Sequence, residues 1–307
     1  MADLRTFGFS LVARRSAADL ADLLKARVVQ AGGKVQPGTD LSHKGGPFGA
    51  LAGHVDLPPE AVAGLRRAFD EQDDVDCFIG STAALRPSSV LVSDMDSTII
   101  GQECIDELAD ALGLRSVISE ITERAMRGEL DFESALTERV AMLKGLLLCE
   151  LERTFEDRIT LNPGARTLIR TVRANGHGTL LVSGGFTFFT SRVARLAGFE
   201  VHKGNTLIDD GAALTGEVAR PILGREAKRT ALLEAVEARR VAPENAIALG
   251  DGANDLDMIK AAGIGVAYHA KPVVAAEANA SIRHTDLTAA LYFQNYPAED
   301  IVFEESA

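Results

Sequence analysis

Three short runs, at 90–93, 179–183 and 246–250, constrain this chain most, because each has a continuous apolar stretch of three or more residues instead of an alternation with polar ones. A strand with one wet face alternates, whereas a strand covered on both faces does not. The runs therefore predict a parallel sheet between layers of helix. Helical patterns separate them, and a fourth apolar run lies at 263–267, so the fold class expected is α/β with a Rossmann-like parallel sheet. Each of the three leads into residues of a different kind. Asp94-Met95-Asp96-Ser97-Thr98 follows the first, the second ends in Ser183-Gly184-Gly185, and the third ends in Gly250-Asp251-Gly252-Ala253-Asn254-Asp255. Open α/β sheets bind their ligands at these carboxyl ends of the strands.

With 307 residues the chain exceeds one typical domain of about 100–200 residues, so two units are expected. Residues 4–12 read as a strand. A helix follows Ser16, opened by the capping-box pattern Ser16-Ala17-Ala18-Asp19, with Leu20, Leu23 and Leu24 on one face and Gly32-Gly33 at its end. Extended segments at 33–41 and 48–57 flank the turn-rich His43-Lys44-Gly45-Gly46-Pro47. A helix from Pro59 then carries Val62, Leu65 and Phe69, and a strand at 75–80 closes the unit. This βαββαβ order is ferredoxin-like and is expected to fold by itself. It resembles the ACT-like modules that bind amino acids or mediate dimerisation. It carries no evident chemistry, so packing or a homodimer contact is the expected role and amino-acid sensing the alternative. The pattern breaks at Leu85-Arg86-Pro87-Ser88-Ser89, which divides the chain into 1–86 and 87–307. The helical stretch at 105–157 is too long for one crossover helix and reads as an inserted helical cap over about 104–160. A hairpin with an Asp210-Gly211 turn is expected around 201–218.

Acidic residues outnumber basic ones by 44 to 32, for a formal net charge of -12, and no basic patch is present. Nucleic acid is therefore not an expected partner. A site for an anionic substrate must gather positive charge locally. Asp94, Asp96, Asp251, Asp255 and Asn254 offer only oxygen donors, a set that suits a hard cation such as Mg²⁺, and EF-hand spacing is absent. Ser183 and the glycines after it allow a phosphate close to the backbone, and Lys228 supplies a cation. Taken singly, each has an ordinary reading as a solvated turn, a strand-end glycine or a surface lysine. Cys77, Cys104 and Cys149 form no C-x-x-C pair and read as reduced packing residues. The six histidines show no ligand spacing. No basic start with a long apolar run opens the chain, and nowhere do about 18 apolar residues follow one another, so no membrane contact and a cytoplasmic location are expected.

Taken together and in this order, the motifs resemble those of the haloacid-dehalogenase-like phosphatases. Within that superfamily, Glu103 in Gly101-Gln102-Glu103-Cys104-Ile105-Asp106-Glu107, then Ala125-Met126-Arg127-Gly128, and Asp131-Phe132-Glu133-Ser134-Ala135-Leu136 with Arg139 are similar to the phosphoserine phosphatases. The similarity spans about residues 85–295. The resemblance implies Mg²⁺-dependent hydrolysis of phosphoserine in the last step of serine biosynthesis, with Asp94 as nucleophile forming an aspartyl-phosphate and Asp96 as general acid and base. It also implies that Asp94, the Asp96 carbonyl and Asp251 hold the metal and that Asp255 orients them. Ser183, the Gly184 amide, Asn254 and Lys228 would hold the phosphoryl oxygens. Glu103 would meet the substrate ammonium and Arg139 its carboxylate, with Met126 and Phe132 as apolar cap residues over the pocket. Alternatives are another small amino-acid-like phosphomonoester, phosphotransfer to a second alcohol, or a serine sensor with a relic phosphatase site.

Overall fold

The computed structural model describes residues 3–44, 46–126 and 130–303. Strand β1 (Arg5–Ala13) sends Phe9, Leu11 and Ala13 to one core and Val12 to another, so this strand of an antiparallel sheet is buried on both faces. Helix α1 (Ala17–Gln30) starts with the capping box, in which the Ser16 hydroxyl accepts from the Asp19 N–H at 3.2 Å and the Asp19 carboxylate from the Ser16 N–H at 3.3 Å. The extended segment expected at 33–41 forms only two short pieces, β2 (Lys34–Val35) and β3 (Thr39–Asp40). Pro37, which has no N–H to donate, and Gly38 lie between them. Strand β4 (Gly49–Leu57) pairs with β1 along its whole length, from Gly49↔Ala13 to Leu57↔Arg5. Helix α2 (Val62–Asp73) buries Val62, Leu65 and Phe69, and β5 (Asp76–Gly80) completes the order β2-β4-β1-β5, with β3 also on β4.

The second part opens with β6 (Val90–Ser93), followed by four helices: α3 (Cys104–Ala111), α4 (Arg115–Met126), α5 (Phe132–Met142) and α6 (Leu148–Arg158). Then come α7 (Ala165–Ala174), β7 (Gly178–Phe186), α8 (Thr187–Ala197), β8 (Val201–Asn205), β9 (Leu207–Asp209) and β10 (Leu214–Val218). The chain continues through α9 (Arg225–Ala238), β11 (Ala246–Gly250), α10 (Leu256–Ala261), β12 (Ile264–Tyr268), α11 (Pro272–Glu277), β13 (Ala280–Ile282) and α12 (Ala289–Phe293). Strands β13-β12-β11-β6-β7-β8 lie in that order, every neighbouring pair parallel. This is the sheet that the apolar runs predict. Of the hairpin expected at 201–218, the first five residues instead extend the sheet edge as β8. Only β9 and β10 form the hairpin, and it is tied to the loop after α5 by the Leu214 N–H on the Leu146 carbonyl at 2.8 Å. Among the described residues no helix is long and apolar enough to cross a membrane.

The two parts share one sheet. Strand β5 pairs antiparallel with β13 (Phe78↔Ala280, Cys77↔Ser281), so one eleven-stranded sheet spans both, ten strands in unbroken order with β3 beside β4. The segment at 1–86 was expected to stand alone, but its second sheet face packs on the C-terminal chain. Val12 and Phe78 belong to the same core as Tyr292, Phe293 and Tyr296, and the Ser10 hydroxyl donates to the Tyr292 carbonyl at 2.9 Å. Three-residue β13 is too short for periodicity to reveal. Beside this joint, fully buried Asp76 accepts from the N–H groups of Arg283 (2.7 Å), His284 (3.0 Å) and Thr285 (2.8 Å) and from the Thr285 hydroxyl. Burial raises its pKa and these four bonds pull against that rise, with a net upward shift. Asp76→Ala leaves four donors at the joint, three of them backbone N–H groups, without this acceptor, and a loss of about 2–3 kcal/mol is expected in urea unfolding. An unchanged midpoint would mean that this carboxylate does not hold the joint.

Candidate active site

Adjacent strands bring the motifs together. Strand β6 lies between β11 and β7, with Ser93 opposite Leu249 on one side and Leu181 on the other, so the residues after all three strand ends emerge side by side. The Asp94 N–H continues the ladder onto the Leu249 carbonyl at 3.0 Å. Above these ends a cavity of ≈710 Å³ is lined from the strand side by Asp94, Asp96, Ser183, Gly184, Lys228, Asp251 and Asn254. The helices facing them contribute Glu103, Asp106, Thr122, Phe132 and Arg139. Asp255 is fully buried behind the lining. The side chain of Met126, together with Arg127 and Gly128, lies outside the described residues.

Lys228, 1% exposed, lies 2.8 Å from Asp94 Oδ1 and 2.7 Å from Asp255 Oδ1. Burial opposes its charge, but the two carboxylates outweigh burial and hold its pKa above the ordinary lysine value. Asp255 has both oxygens engaged, since Oδ2 accepts from the Gly252 N–H at 3.0 Å. A Cβ at Gly250 would come within 2.4 Å of the Asp255 carboxyl carbon, so only glycine lets this brace approach the strand. Asp94, Asp251 and Asp255 bring one oxygen each within 4.8 Å of one another. Burial and the Asp255 charge push Asp251 up to about 6 and Asp94 well above the usual carboxylate range, in spite of Lys228. Asp94 Oδ1 is buried without a hydrogen bond, because its ion pair with Lys228 is close but poorly aligned. An all-oxygen cluster carrying more negative charge than one lysine balances, with an unbonded oxygen inside it, is suited to hold a divalent cation.

Asp96 accepts from the Cys104 N–H at 3.1 Å and from the Ser183 hydroxyl at 3.2 Å, and Ser183 Oγ in turn accepts from the Gly185 N–H at 2.8 Å. A Cβ on Gly185 would stand 2.8 Å from Asp96 Oδ2. Burial is the main cause of a raised Asp96 pKa, which favours its protonated form. The turn between Asp96 and Glu103 passes through Ser97 in the left-handed region, with φ 54°, a conformation that costs a non-glycine residue energy and recurs at functional sites. The Ser97 hydroxyl donates to Glu103 Oε1 at 2.7 Å. Glu103 reaches solvent at the cavity mouth, yet surrounding protein and the Asp96 charge push its pKa to about 7. Arg139 uses Nε on the Ala135 carbonyl of its own helix at 3.2 Å. Burial lowers its pKa, and the charges of Asp106, Glu103 and Asp96 act against that shift. Phe132 lies against the Ser183-Gly184-Gly185 loop, where a Cβ at Gly184 would meet its ring at 3.0 Å.

Three contributors were not read from the sequence. Asp106 lines the cavity three residues after Glu103, a helical spacing that the motif already displayed. Lys271 also lines the cavity, and its N–H donates to the Asp251 carbonyl at 3.3 Å. Asn205, 2% exposed, donates to the Gly184 carbonyl at 2.8 Å and the Leu223 carbonyl at 3.2 Å and accepts from the Leu223 N–H at 2.7 Å. It thereby links the Ser183-Gly184-Gly185 loop to the segment leading into α9, and no local pattern marks it.

The family model described as haloacid dehalogenase-like hydrolase matches residues 91–260, more than half of the chain. The chain belongs to this family. A phosphoserine phosphatase of Polaromonas is 44% identical over 203 residues, covering 64% of this chain and 86% of the relative. One from Archaeoglobus fulgidus is 41% identical over 252 residues, 80% of this chain and 72% of its own. Among solved structures, a haloacid dehalogenase-family hydrolase of Salmonella enterica superposes with a TM-score of 0.81 at 30% identity, covering 94% of this chain and 98% of that one. A probable phosphoserine phosphatase of Vibrio cholerae, unliganded, gives 0.74 at 27% identity, covering 94% and 86%. The family match thus takes in β6, β7, β8 and β11 of the parallel sheet and the helices above them, and the two structural neighbours, which cover 94% of the chain, extend the likeness to the rest of the sheet and the N-terminal part.

In the metal-free hydrolase, Glu103 favours the folded state fully below its ordinary value of 4.5, and this contribution is lost as pH rises through about 7. Glu103→Gln is therefore expected to gain stability relative to the parent between about pH 5 and pH 8, by an amount reduced by solvent screening at the cavity mouth. A carboxyl-carbon NMR titration placing Glu103 at its ordinary value would contradict this.

Proposed function

We propose that the chain hydrolyses O-phosphoserine to serine and inorganic phosphate, the last step of serine biosynthesis, through an aspartyl-phosphate on Asp94. One observation carries the proposal: a single cavity sets Asp94, Ser183 and Lys228 beneath Glu103 and Arg139, a phosphate cradle below two groups of opposite charge. A phosphate with a short zwitterionic arm matches that pattern, whereas a sugar phosphate leaves both charged groups unsatisfied.

The residues divide the work. Asp94 attacks phosphorus and the serine oxygen leaves, while Lys228, the Ser183 hydroxyl, the Gly184 amide and Asn254 hold the phosphoryl oxygens whose charge opposes the attack. Asp96 is raised in pKa and hydrogen-bonded to Ser183, so it arrives protonated, donates to the departing oxygen and then takes a proton from the water that cleaves the aspartyl-phosphate. Mg²⁺, held by Asp94, the Asp96 carbonyl and Asp251, would supply positive charge against the phosphoryl oxygens and the nucleophile. Asp255 braces Lys228 and the Gly252 loop from behind. Arg139 grips the substrate carboxylate and Glu103 meets its ammonium, which draws the Glu103 proton off on binding. Phe132 shields the ester from water under the helical layer.

Phosphate release from a panel of small monoesters, with and without Mg²⁺, tests substrate and metal together. Asp94→Asn is expected to lower kcat by at least about 10³-fold. Arg139→Ala should lower kcat/KM for phosphoserine by about 10²-fold and leave phosphoethanolamine, which lacks the carboxylate, nearly unchanged. Undiminished phosphoserine turnover by Arg139→Ala would overturn the substrate assignment, and undiminished turnover by Asp94→Asn the mechanism.

A further inference from the structure

A second cavity, of ≈370 Å³, opens where α2 faces α11 and β13, at the joint between the two parts of the molecule. Three arginines line it, Arg66 and Arg67 from α2 and Arg283 just beyond β13. Arg283 lies 3.2 Å from Asp70 Oδ2, and His284 Nε2 is 3.2 Å from Asp70 Oδ1, so the Asp70 carboxylate is already engaged. Arg66 differs. It is half-buried, and among the described residues its guanidinium has neither an ion pair nor a hydrogen bond. The group acting on its charge is Cys77, which burial holds up to about 12 and therefore as a neutral thiol. Arg67 is exposed and likewise unpaired, and the remaining carboxylate in the lining, Glu71, is exposed to solvent that screens it.

A guanidinium withdrawn from water without an anion is costly, and its planar fork matches the paired oxygens of a carboxylate or phosphate. The cavity also lies within the size range of small-ligand sites, about 300–1,000 Å³. We propose that this cleft is a binding site for a small oxyanion, gripped by Arg66 and Arg67 and separate from the phosphatase cavity. The wall between the two cavities is α11 with the residue before it. Pro272 and Ala275 face the cleft, whereas Lys271 and Val273 line the phosphatase cavity, and the Lys271 N–H rests on the Asp251 carbonyl. An anion in the cleft would therefore sit one short helix away from a metal-cluster carboxylate.

Hydrogen exchange on the full chain, with malonate in one arm and inorganic phosphate in the other, tests the site. Either anion is expected to slow exchange in 62–73 and 272–283, and tighter binding of one identifies the ligand as a carboxylate or a phosphoryl compound. Peptides covering 183–185 and 251–255 report separately on phosphate in the catalytic cavity. Arg66→Met should abolish protection in the cleft peptides and leave the catalytic ones unchanged, with Arg66→Lys restoring part of it. Arg67→Ala, at an exposed position that the fold does not need, should raise Kd about tenfold and keeps the test valid if Arg66→Met fails to fold. Absence of protection by both anions, or protection undiminished in the arginine variants, would overturn the proposal.

Discussion

The site depends on Lys228, a charged group almost wholly removed from water between the carboxylates of Asp94 and Asp255. A buried ammonium is tolerable only where anions meet it, and buried carboxylates are tolerable only on the same terms. Each member therefore fixes the others. Lys228 comes from α9, Asp94 from the end of β6 and Asp255 from the loop after β11, so the triad ties three distant segments to one point. Asp255 adds a bond to the Gly252 N–H, and Gly250 carries no side chain to obstruct it.

Around that point the arrangement is under-neutralised. Three carboxylates face one lysine, and burial together with mutual repulsion pushes Asp94 and Asp251 upward in pKa. Such a cluster is suited to a divalent cation, whose charge would relieve the repulsion among the carboxylates. Asp96 instead bonds to Ser183 and the Cys104 N–H, and burial raises its pKa, which favours its protonated form. Two aspartates two residues apart on one turn thus have different partners, Lys228 for Asp94 and Ser183 with the Cys104 N–H for Asp96, while burial raises the pKa of both.

The N-terminal part is more than an attachment. Its strand β5 extends the parallel sheet through β13, and its other sheet face packs on the C-terminal chain. The segment that forms this joint, from α11 to β13, also borders the phosphatase cavity. Rigidity at the joint and geometry at the metal cluster therefore share a structural element.

The parallel sheet was legible because strands buried on both faces must be apolar throughout, and the site was legible because Asp94, Asp96, Ser183, Asp251 and Lys228 stand at strand ends or on the helix between two of them. Glu103 and Arg139 were legible through motif likeness, whereas Asp106 was not read, although its helical spacing from Glu103 carried the signal. Other features had no local signature. Asn205 matters because of what it touches, β13 is three residues long, and the expectation of an independent N-terminal unit overlooked a sheet edge that becomes attractive only when another strand lies beside it. Sequence alone determined most of the longer strands and helices and which chemical groups lie at their ends, since these follow from periodicity and residue type. Only the tertiary structure decided which buried charges meet and that two sheets become one, because hydrogen-bonding edges and ion pairs are formed between segments whose separation along the chain carries no information about their distance in space.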